Sequence, residues 1–130
     1  MAEENVEIVR RVYETVEARG VEGLLEFATD DVVWISDPRF PGGGRKSGKE
    51  EVRRWLAEIW IYDEISIDVE EIIDLDDRAL TITRFHGVSA DAPPVDWLWC
   101  HLFAFRDGLI SQMQAFLDRG QALEAAGLSE

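Results

Sequence analysis

The sequence predicts a single domain of the α+β class, with the helices and most of the strands in separate parts of the chain. Early in the chain, apolar residues recur at the spacing of one helix face, whereas from Glu64 onward they alternate with polar residues. The 130 residues are too few for two ordinary domains but enough for one hydrophobic core. We therefore expect a cone-shaped domain over residues 1–130, in which helices pack on one face of a curved, mainly antiparallel sheet.

Two helices are predicted at the N-terminus. The first spans Glu3 to Arg19 and ends at Gly20, a residue type that commonly stops helices. Its inward stripe consists of Val6, Val9, Tyr13 and Val16. A short second helix is predicted from Val21 to Ala28, where the run Thr29-Asp30-Asp31 interrupts it.

A strand, a loop and a third helix are predicted next. Val32 to Ile35 is rich in β-branched and aromatic side chains, which favours a strand that ends at Asp37 and the proline after it. Arg39 to Lys46 contains three consecutive glycines without the GxxxxGK[ST] spacing of a phosphate loop. It is interpreted as a flexible loop, either a lid over a pocket or a plain surface loop. Ser47 with Glu50 predicts a capping box that begins the third helix.

From Glu64 the chain is predicted to form antiparallel strands. Alternation of Ile65, Ile67 and Val69 with polar residues indicates one buried and one wet face. The adjacent Ile72-Ile73 pair breaks this alternation and predicts a bulge or bend. After a turn at Asp76-Asp77, the further strands are predicted at Leu80–Val88, Val95–Arg106 and Leu109–Leu117. Asp107-Gly108 is typical of a tight hairpin turn between the last two strands.

Composition excludes several classes of function. The formal net charge of −14 argues against binding to nucleic acid or to anionic membranes, because both require clustered Lys and Arg. Cys100 is the single cysteine, so an internal disulfide and a multi-cysteine zinc site are excluded. The two histidines lack the spacing of a metal motif, and no metal or cofactor is predicted. No apolar run long enough to span a membrane occurs, and MAEENVEIVRR does not resemble a signal peptide, so a cytoplasmic location is expected.

Three segments carry a resemblance to a known family. They are NVEIVRRVYETVEARGVEGLLEFATDDVVW, DPRFPGGGRKSGKEEVRRWL and HLFAFRDGLISQMQAFLDRGQALEAAGL. Together they cover most of the chain and resemble the SnoaL-like family of the nuclear transport factor two and ketosteroid isomerase superfamily. The resemblance implies the cone-shaped α+β roll of that superfamily, which is also described as cystatin-like. It leaves the function open, because this superfamily includes isomerases, cyclases, dehydratases, epoxide hydrolases and proteins without catalysis.

The strand from Val95 to Arg106 is predicted to carry a single imidazole among large aromatic side chains. By alternation, one face consists of Trp97, Trp99, His101, Phe103 and Phe105. An imidazole in such surroundings would have its pKa lowered by desolvation, which makes it a neutral hydrogen-bonding group or an acid/base. The alternative is a buried histidine that makes one structural hydrogen bond.

The resemblance implies three candidate catalytic residues. Asp37 matches the general base of the ketosteroid isomerases, and Tyr13 matches their oxyanion-hole tyrosine. His101 aligns with a histidine common in SnoaL-like proteins, where the isomerases hold a protonated aspartic acid. Asp37 would then move a proton next to a ketone while Tyr13 and His101 bind the enolate oxygen. The structural alternatives are a turn-forming Asp37 and a core aromatic Tyr13.

The aromatic content predicts a pocket for a small hydrophobic molecule. Five tryptophans and six phenylalanines exceed what a core of this size needs, and the acidic exterior suits a neutral or cationic ligand. The residues expected to line the pocket are Trp34, Trp55, Trp60, Trp97, Trp99, Phe103 and Met113.

Two functions are consistent with this pocket. One is an enzyme of the ketosteroid isomerase or polyketide cyclase type, and the other is a non-catalytic binding or dimerisation domain. A homodimer formed through the sheet is compatible with both, since an apolar outer face would otherwise be exposed. Asp118 is interpreted either as the N-cap of a last helix from Arg119 to Ala126, together with Gln121, or as a family-type acid/base residue.

Overall fold

The structure is a computed structural model that describes residues 2–37, 39, 43–59 and 62–128. Its helices are α1 (Ala2–Arg19), α2 (Val21–Leu25), α3 (Lys49–Ile59) and α4 (Arg119–Ala125). Its strands are β1 (Ala28–Ser36), β2 (Gly44–Ser47), β3 (Glu64–Asp74), β4 (Arg78–Ser89), β5 (Ala92–Arg106) and β6 (Leu109–Phe116). Three helices in the first half and four long strands in the second half confirm the predicted α+β class.

The strands form one curved sheet in the described part of the chain, in the order β2-β1-β6-β5-β4-β3. All neighbouring strands are antiparallel except β1 and β6, which are parallel. The β5–β6 hairpin turns at Asp107 and Gly108, whose φ angles of 54° and 79° are those of the predicted turn. This hairpin places β5 next to β6 and β4, so the aromatic strand lies inside the sheet.

Side-chain alternation along the sheet separates two apolar clusters. Ala79 and Phe85 of β4 belong to the larger cluster, which packs against α1, α2 and α3. Leu80 and Ile82 of the same strand point to the opposite face and pack with Leu123 of α4. The N-terminal helices therefore cover the inner face of the sheet, and α4 covers part of the outer face.

The second helix is shorter than predicted and the first strand is longer. The sequence predicts a helix to Ala28, but α2 ends at Leu25 and β1 begins at Ala28. Ala28 is paired with Ile110 of β6, and the Phe27 carbonyl accepts the Ile110 N–H at 2.7 Å. Pairing with β6 therefore prevails over the helical pattern, because it satisfies backbone groups that the sheet would otherwise bury unpaired.

The predicted loop from Arg39 to Lys46 is partly wrong, because its C-terminal end forms β2 and pairs with β1. The capping interaction also differs from the prediction. The Ser47 N–H donates to the Glu51 carboxylate at 3.3 Å, whereas Glu50 was expected in that role. Residues 40–42, which include Gly42 of the three glycines proposed as a lid, lie outside the described residues.

The edge strand β3 is held by α1. The Glu17 carboxylate accepts the Ile67 backbone N–H at 2.6 Å, which covers part of an otherwise unpaired sheet edge. The register with β4 shifts between Val69 and Glu71, so the bulge predicted at Ile72-Ile73 lies earlier in the strand. Among the residues described, no helix has the combination of length and apolar character that a membrane crossing requires.

Candidate functional site

Tyr13 and His101 meet inside the domain. The Tyr13 hydroxyl of α1 lies 2.8 Å from His101 Nδ1 of β5 and 2.5 Å from Thr81 Oγ1 of β4. Thr81 and His101 are directly opposite each other in the β4–β5 register. His101 is only 3% exposed, and all three residues are buried. The sheet thus supplies two of the polar groups and the first helix supplies the third.

Burial keeps this pair uncharged at neutral pH. Desolvation lowers the pKa of His101 to about 3, so its imidazole is neutral. Desolvation also raises the pKa of Tyr13 above its ordinary value, so its hydroxyl keeps its proton. Because His101 is neutral, one ring nitrogen carries a hydrogen and the other offers a lone pair.

An apolar cavity lies beside this pair. Helix α1 contributes Val12 and Val16 to its wall, and the sheet contributes Trp34, Trp99 and Met113. Tyr13 and His101 also line the cavity. Apart from the indoles of Trp34 and Trp99, theirs are the side chains in the lining that carry a neutral hydrogen-bonding group. The cavity volume is about 30 Å³, roughly that of one water molecule in the liquid. Side chains therefore fill most of the space between α1 and the sheet.

One nitrogen of His101 has no hydrogen-bond partner among the described residues. While Nδ1 contacts Tyr13, Nε2 is buried and pairs with nothing in the described part of the chain. Buried polar atoms without a partner are uncommon in folded proteins and often mark a functional position. The Trp99 ring lies beside the imidazole, with ring centroids 4.8 Å apart.

Asp37 does not join the Tyr13–His101 pair. Its carboxylate accepts hydrogen bonds from the Arg39 side chain at 3.0 and 2.7 Å and from the Arg39 backbone N–H at 2.9 Å. These bonds lower the pKa of Asp37 to about 2. The Asp37 side chain is 7% exposed and lines a second, smaller void, which it shares with Trp99. Trp99 lines both this void and the cavity beside His101, whereas Asp37 is not part of the lining of that cavity.

The predicted aromatic lining divides into two groups. Trp34, Trp99 and Met113 line the cavity. Trp55, Trp97 and Phe103 pack in the surrounding core instead. The Trp34 and Trp55 rings contact each other with centroids 5.6 Å apart, and Phe103 meets the edge of the Tyr13 ring. Trp60 lies outside the described residues.

Residues 9–113 match the family model of the SnoaL-like domain. The chain belongs to the SnoaL-like family. No curated protein shows significant similarity to this SnoaL-like chain. The family assignment agrees with the three sequence segments that resemble it.

Solved structures share the fold of this SnoaL-like protein at low sequence identity. TerC, co-crystallised with polyporic acid, is 22% identical with a TM-score of 0.77, covering 95% of this chain and 98% of its own. A protein from Catenulispora acidiphila DSM 44928 with a ketosteroid isomerase-like fold, in complex with trimethylamine, is 18% identical with a TM-score of 0.73, covering 94% and 93%. RV0760c from Mycobacterium tuberculosis, in complex with estradiol-17β-hemisuccinate, is 20% identical with a TM-score of 0.74, covering 89% and 95%. These similarities establish the ketosteroid isomerase-like fold.

Thr81 is the member of the polar cluster in this SnoaL-like protein that sequence reasoning missed. In β4 it alternates with the apolar Leu80 and Ile82 of the outer face. Thr81 and Thr83 are both fully buried on the inner face. Two threonines at inward positions of a central strand were a usable signal, because a buried hydroxyl needs a hydrogen-bond partner.

Neither Asp118 nor His86 lines the cavity. Asp118 caps α4 by accepting the Gln121 N–H at 2.9 Å, which confirms the N-cap interpretation. His86 lies between two carboxylates, at 3.0 Å from Asp68 and 2.8 Å from Asp96. No group of His, Cys, Asp or Glu side chains in the described ranges is arranged to hold a metal ion.

Proposed function

We propose that this SnoaL-like protein binds a small, mainly apolar ring molecule between α1 and the sheet. The observation that carries the proposal is the buried Tyr13–His101 pair at the wall of an apolar, tryptophan-containing cavity. Binding sites for small molecules are typically apolar clefts with few, well-placed polar groups. His101 Nε2, which has no partner within the described residues, supplies such a group.

A groove between α1 and β3 offers a route to the cavity. The groove has a volume of about 450 Å³, and Tyr13 and Ile67 line both the groove and the cavity. Drug-sized ligands occupy pockets of roughly 300–1,000 Å³, whereas the cavity beside Tyr13 and His101 has a volume of about 30 Å³. A ring molecule can therefore enter the cavity only if apolar side chains such as Ile67 move aside. Entry is thus coupled to a change in the contact between α1 and β3.

The charges at this groove favour uncharged or cationic ligands. Four carboxylates, those of Glu14, Glu17, Glu70 and Glu71, line it together with the single cation Arg10. The net charge of −14 adds to the negative potential. An anionic group would therefore be repelled at the entrance.

Structural neighbours support a small-molecule role. TerC and RV0760c were both crystallised with small organic molecules, polyporic acid and estradiol-17β-hemisuccinate. These ligands belong to those proteins, and the fold is what this chain shares with them. The support concerns small-molecule binding by proteins of this fold.

Tryptophan fluorescence tests the binding proposal, because Trp34 and Trp99 line the cavity. Titration with uncharged bicyclic and steroid compounds is expected to quench the emission, and sulfonated analogues should bind at least about tenfold more weakly. Val16→Phe fills the cavity and should abolish quenching. Val88→Phe makes the same change on the outer face, where Val88 is 44% exposed, and should leave it unchanged. Equal quenching in both variants, or none in the unmodified protein, would contradict the proposal.

A second candidate function is proton transfer next to a ketone, with Asp37 as the base. It is favoured by the burial of the Asp37 side chain and by an open groove of about 680 Å³ that Asp37 lines together with Gln114 and Gln121. A carboxylate with a pKa of about 2 is a weak base, so Arg39 must release it before it can accept a proton from carbon. Arg39 is itself 58% exposed and can turn to solvent.

An enone isomerisation assay tests this candidate. Asp37→Asn should lower kcat by about 10²–10⁴-fold if Asp37 is the base. Arg39→Gln should raise the pKa of Asp37, because its strongest hydrogen bonds are lost, and should raise the rate above that of the unmodified protein. An unchanged rate in Asp37→Asn would remove Asp37 from the reaction.

A further inference from the structure

Three polar groups form one continuous hydrogen-bond chain inside the domain. Thr81 Oγ1 lies 2.5 Å from the Tyr13 hydroxyl and 3.3 Å from the backbone carbonyl oxygen of His101. The Tyr13 hydroxyl lies 2.8 Å from His101 Nδ1. Each hydroxyl has one hydrogen to donate and the neutral imidazole has one N–H, so the chain has two possible directions.

The first direction bonds every hydrogen. His101 Nδ1–H donates to the Tyr13 oxygen, Tyr13 donates to Thr81, and Thr81 donates to the His101 carbonyl oxygen. The atom that remains without a partner is then Nε2 with its lone pair, an acceptor.

The second direction leaves a buried donor unpaired. Thr81 donates to Tyr13 and Tyr13 donates to Nδ1, so the imidazole hydrogen is on Nε2. Nε2 has no acceptor nearby in the part of the chain that the structure describes. Orphaned buried N–H groups are rarer than under-used acceptors, because an unpaired donor loses its full hydration. The first direction is therefore the stable one.

We propose that Thr81 fixes His101 in the Nδ1–H tautomer, so that the ligand of this cavity carries a hydroxyl or N–H donor for Nε2. The inference rests on the proposed binding function and specifies its ligand class. Thr81 acts through Tyr13 and is a positioning residue, whereas Nε2 is the group that accepts the ligand's hydrogen bond. Nε2 is buried and the cavity exposes no polar atom, so the ligand reaches Nε2 only after the side chains that cover it have moved. This polarity is opposite to that of an oxyanion hole, which donates hydrogen bonds to a ketone oxygen.

The tautomer is measured without any ligand by long-range proton–nitrogen NMR correlations of the imidazole, with His86→Gln used to assign His101. The unmodified protein should show the Nδ1–H pattern, and Thr81→Ser, which keeps the hydroxyl, should show the same. Thr81→Val removes the acceptor for Tyr13 while keeping the shape. Tyr13 should then donate to Nδ1 and shift the hydrogen to Nε2, since a phenol is a stronger donor than an imidazole N–H. An Nε2–H pattern in the unmodified protein would overturn the inference.

Binding of three matched probes tests the ligand class. β-Naphthol carries a donor, β-naphthaldehyde carries only an acceptor, and naphthalene carries neither. The unmodified protein should bind β-naphthol at least about tenfold more tightly than the other two, and Thr81→Val should reduce this preference in favour of the aldehyde. Binding of all three with equal affinity contradicts the donor requirement but leaves the binding function intact. Binding of none, with the Nδ1–H pattern present, contradicts the binding function instead.

Discussion

The buried imidazole of His101 makes the stability of the protein sensitive to acid. Its pKa is about 3 in the folded protein and 6.5 in the unfolded chain. Between these values the unfolded chain binds a proton that the folded protein does not, so the free energy of unfolding falls as pH falls. Above about pH 6.5 both states are neutral at this position, and the contribution no longer changes.

We expect His101 alone to remove about 2 kcal/mol from the free energy of unfolding between about pH 7 and pH 5. The measurement is urea unfolding at several pH values for the unmodified protein and for His101→Gln. The variant should lose this part of the pH dependence and keep the part that the carboxylates contribute. Identical pH dependence in both proteins would show that His101 is protonated in the folded state.

Two glycines allow elements to approach closely, and they do so for different reasons. A Cβ atom on Gly23 of α2 would lie 2.6 Å from the backbone oxygen of Thr15 in α1. A Cβ atom on Gly87 of β4 would lie 2.7 Å from the ring of Tyr62. The first contact is with backbone and the second is with a side chain.

Double-mutant cycles separate these two cases. Gly23→Ala and Gly87→Ala should each lower the free energy of unfolding by about 1–3 kcal/mol through overpacking. Tyr62→Ala should abolish the cost of Gly87→Ala, whereas Thr15→Ala should not abolish the cost of Gly23→Ala. Rescue of the Gly23 variant would mean that α1 and α2 are further apart than described.

The short helix α4 depends on its N-cap and covers the single cysteine. Asp118 accepts the Gln121 N–H, and Cys100 is fully buried in the cluster that α4 completes. Asp118→Ala should destabilise α4 by about 1 kcal/mol, which corresponds to roughly fivefold more frequent opening. The rate at which Cys100 reacts with a thiol reagent should rise by that factor. Asp118→Ser restores the cap and should restore the slow rate, and an unchanged rate in Asp118→Ala would show that α4 does not control access.

The sequence was sufficient to predict elements whose signal is local. The Asp107-Gly108 turn and the Asp118 cap depend on a few adjacent residues, and both form as predicted. The inward face of β5 follows from strict alternation. The end of α2 and the strand β2 could not be predicted in this way, because pairing with strands distant in sequence determines them.

The same distinction holds for the candidate site. Tyr13 and His101 were recognisable by residue type and position, but the place of Thr81 beside them depends on the β4–β5 register. The position of Asp37 outside this pair depends on Arg39, which binds the carboxylate. A resemblance between sequences carries residue identities and does not carry such partners.

At the scale of the whole molecule, the outer face of the sheet combines a limited apolar area with strong charge. Helix α4 covers its apolar centre. On the same face, Arg84 and His86 of β4 both contact the carboxylate of Asp96 in β5. A homodimer formed through this face must bring two chains of net charge −14 together, so repulsion opposes it at low ionic strength.

We therefore expect dimerisation through the sheet to strengthen with salt. Light scattering after size-exclusion chromatography should give a mass near 14.8 kDa in dilute buffer and move toward twice that value as NaCl shortens the Debye length from about 30 to about 3 Å. Val88→Gln on the outer face should weaken the dimer, because it removes exposed apolar surface from the contact. Val69→Gln makes the same change at a similarly exposed position in the α1–β3 groove and should not. A monomer at every salt concentration, or equal weakening by both variants, would exclude the outer face of the sheet as the dimer interface.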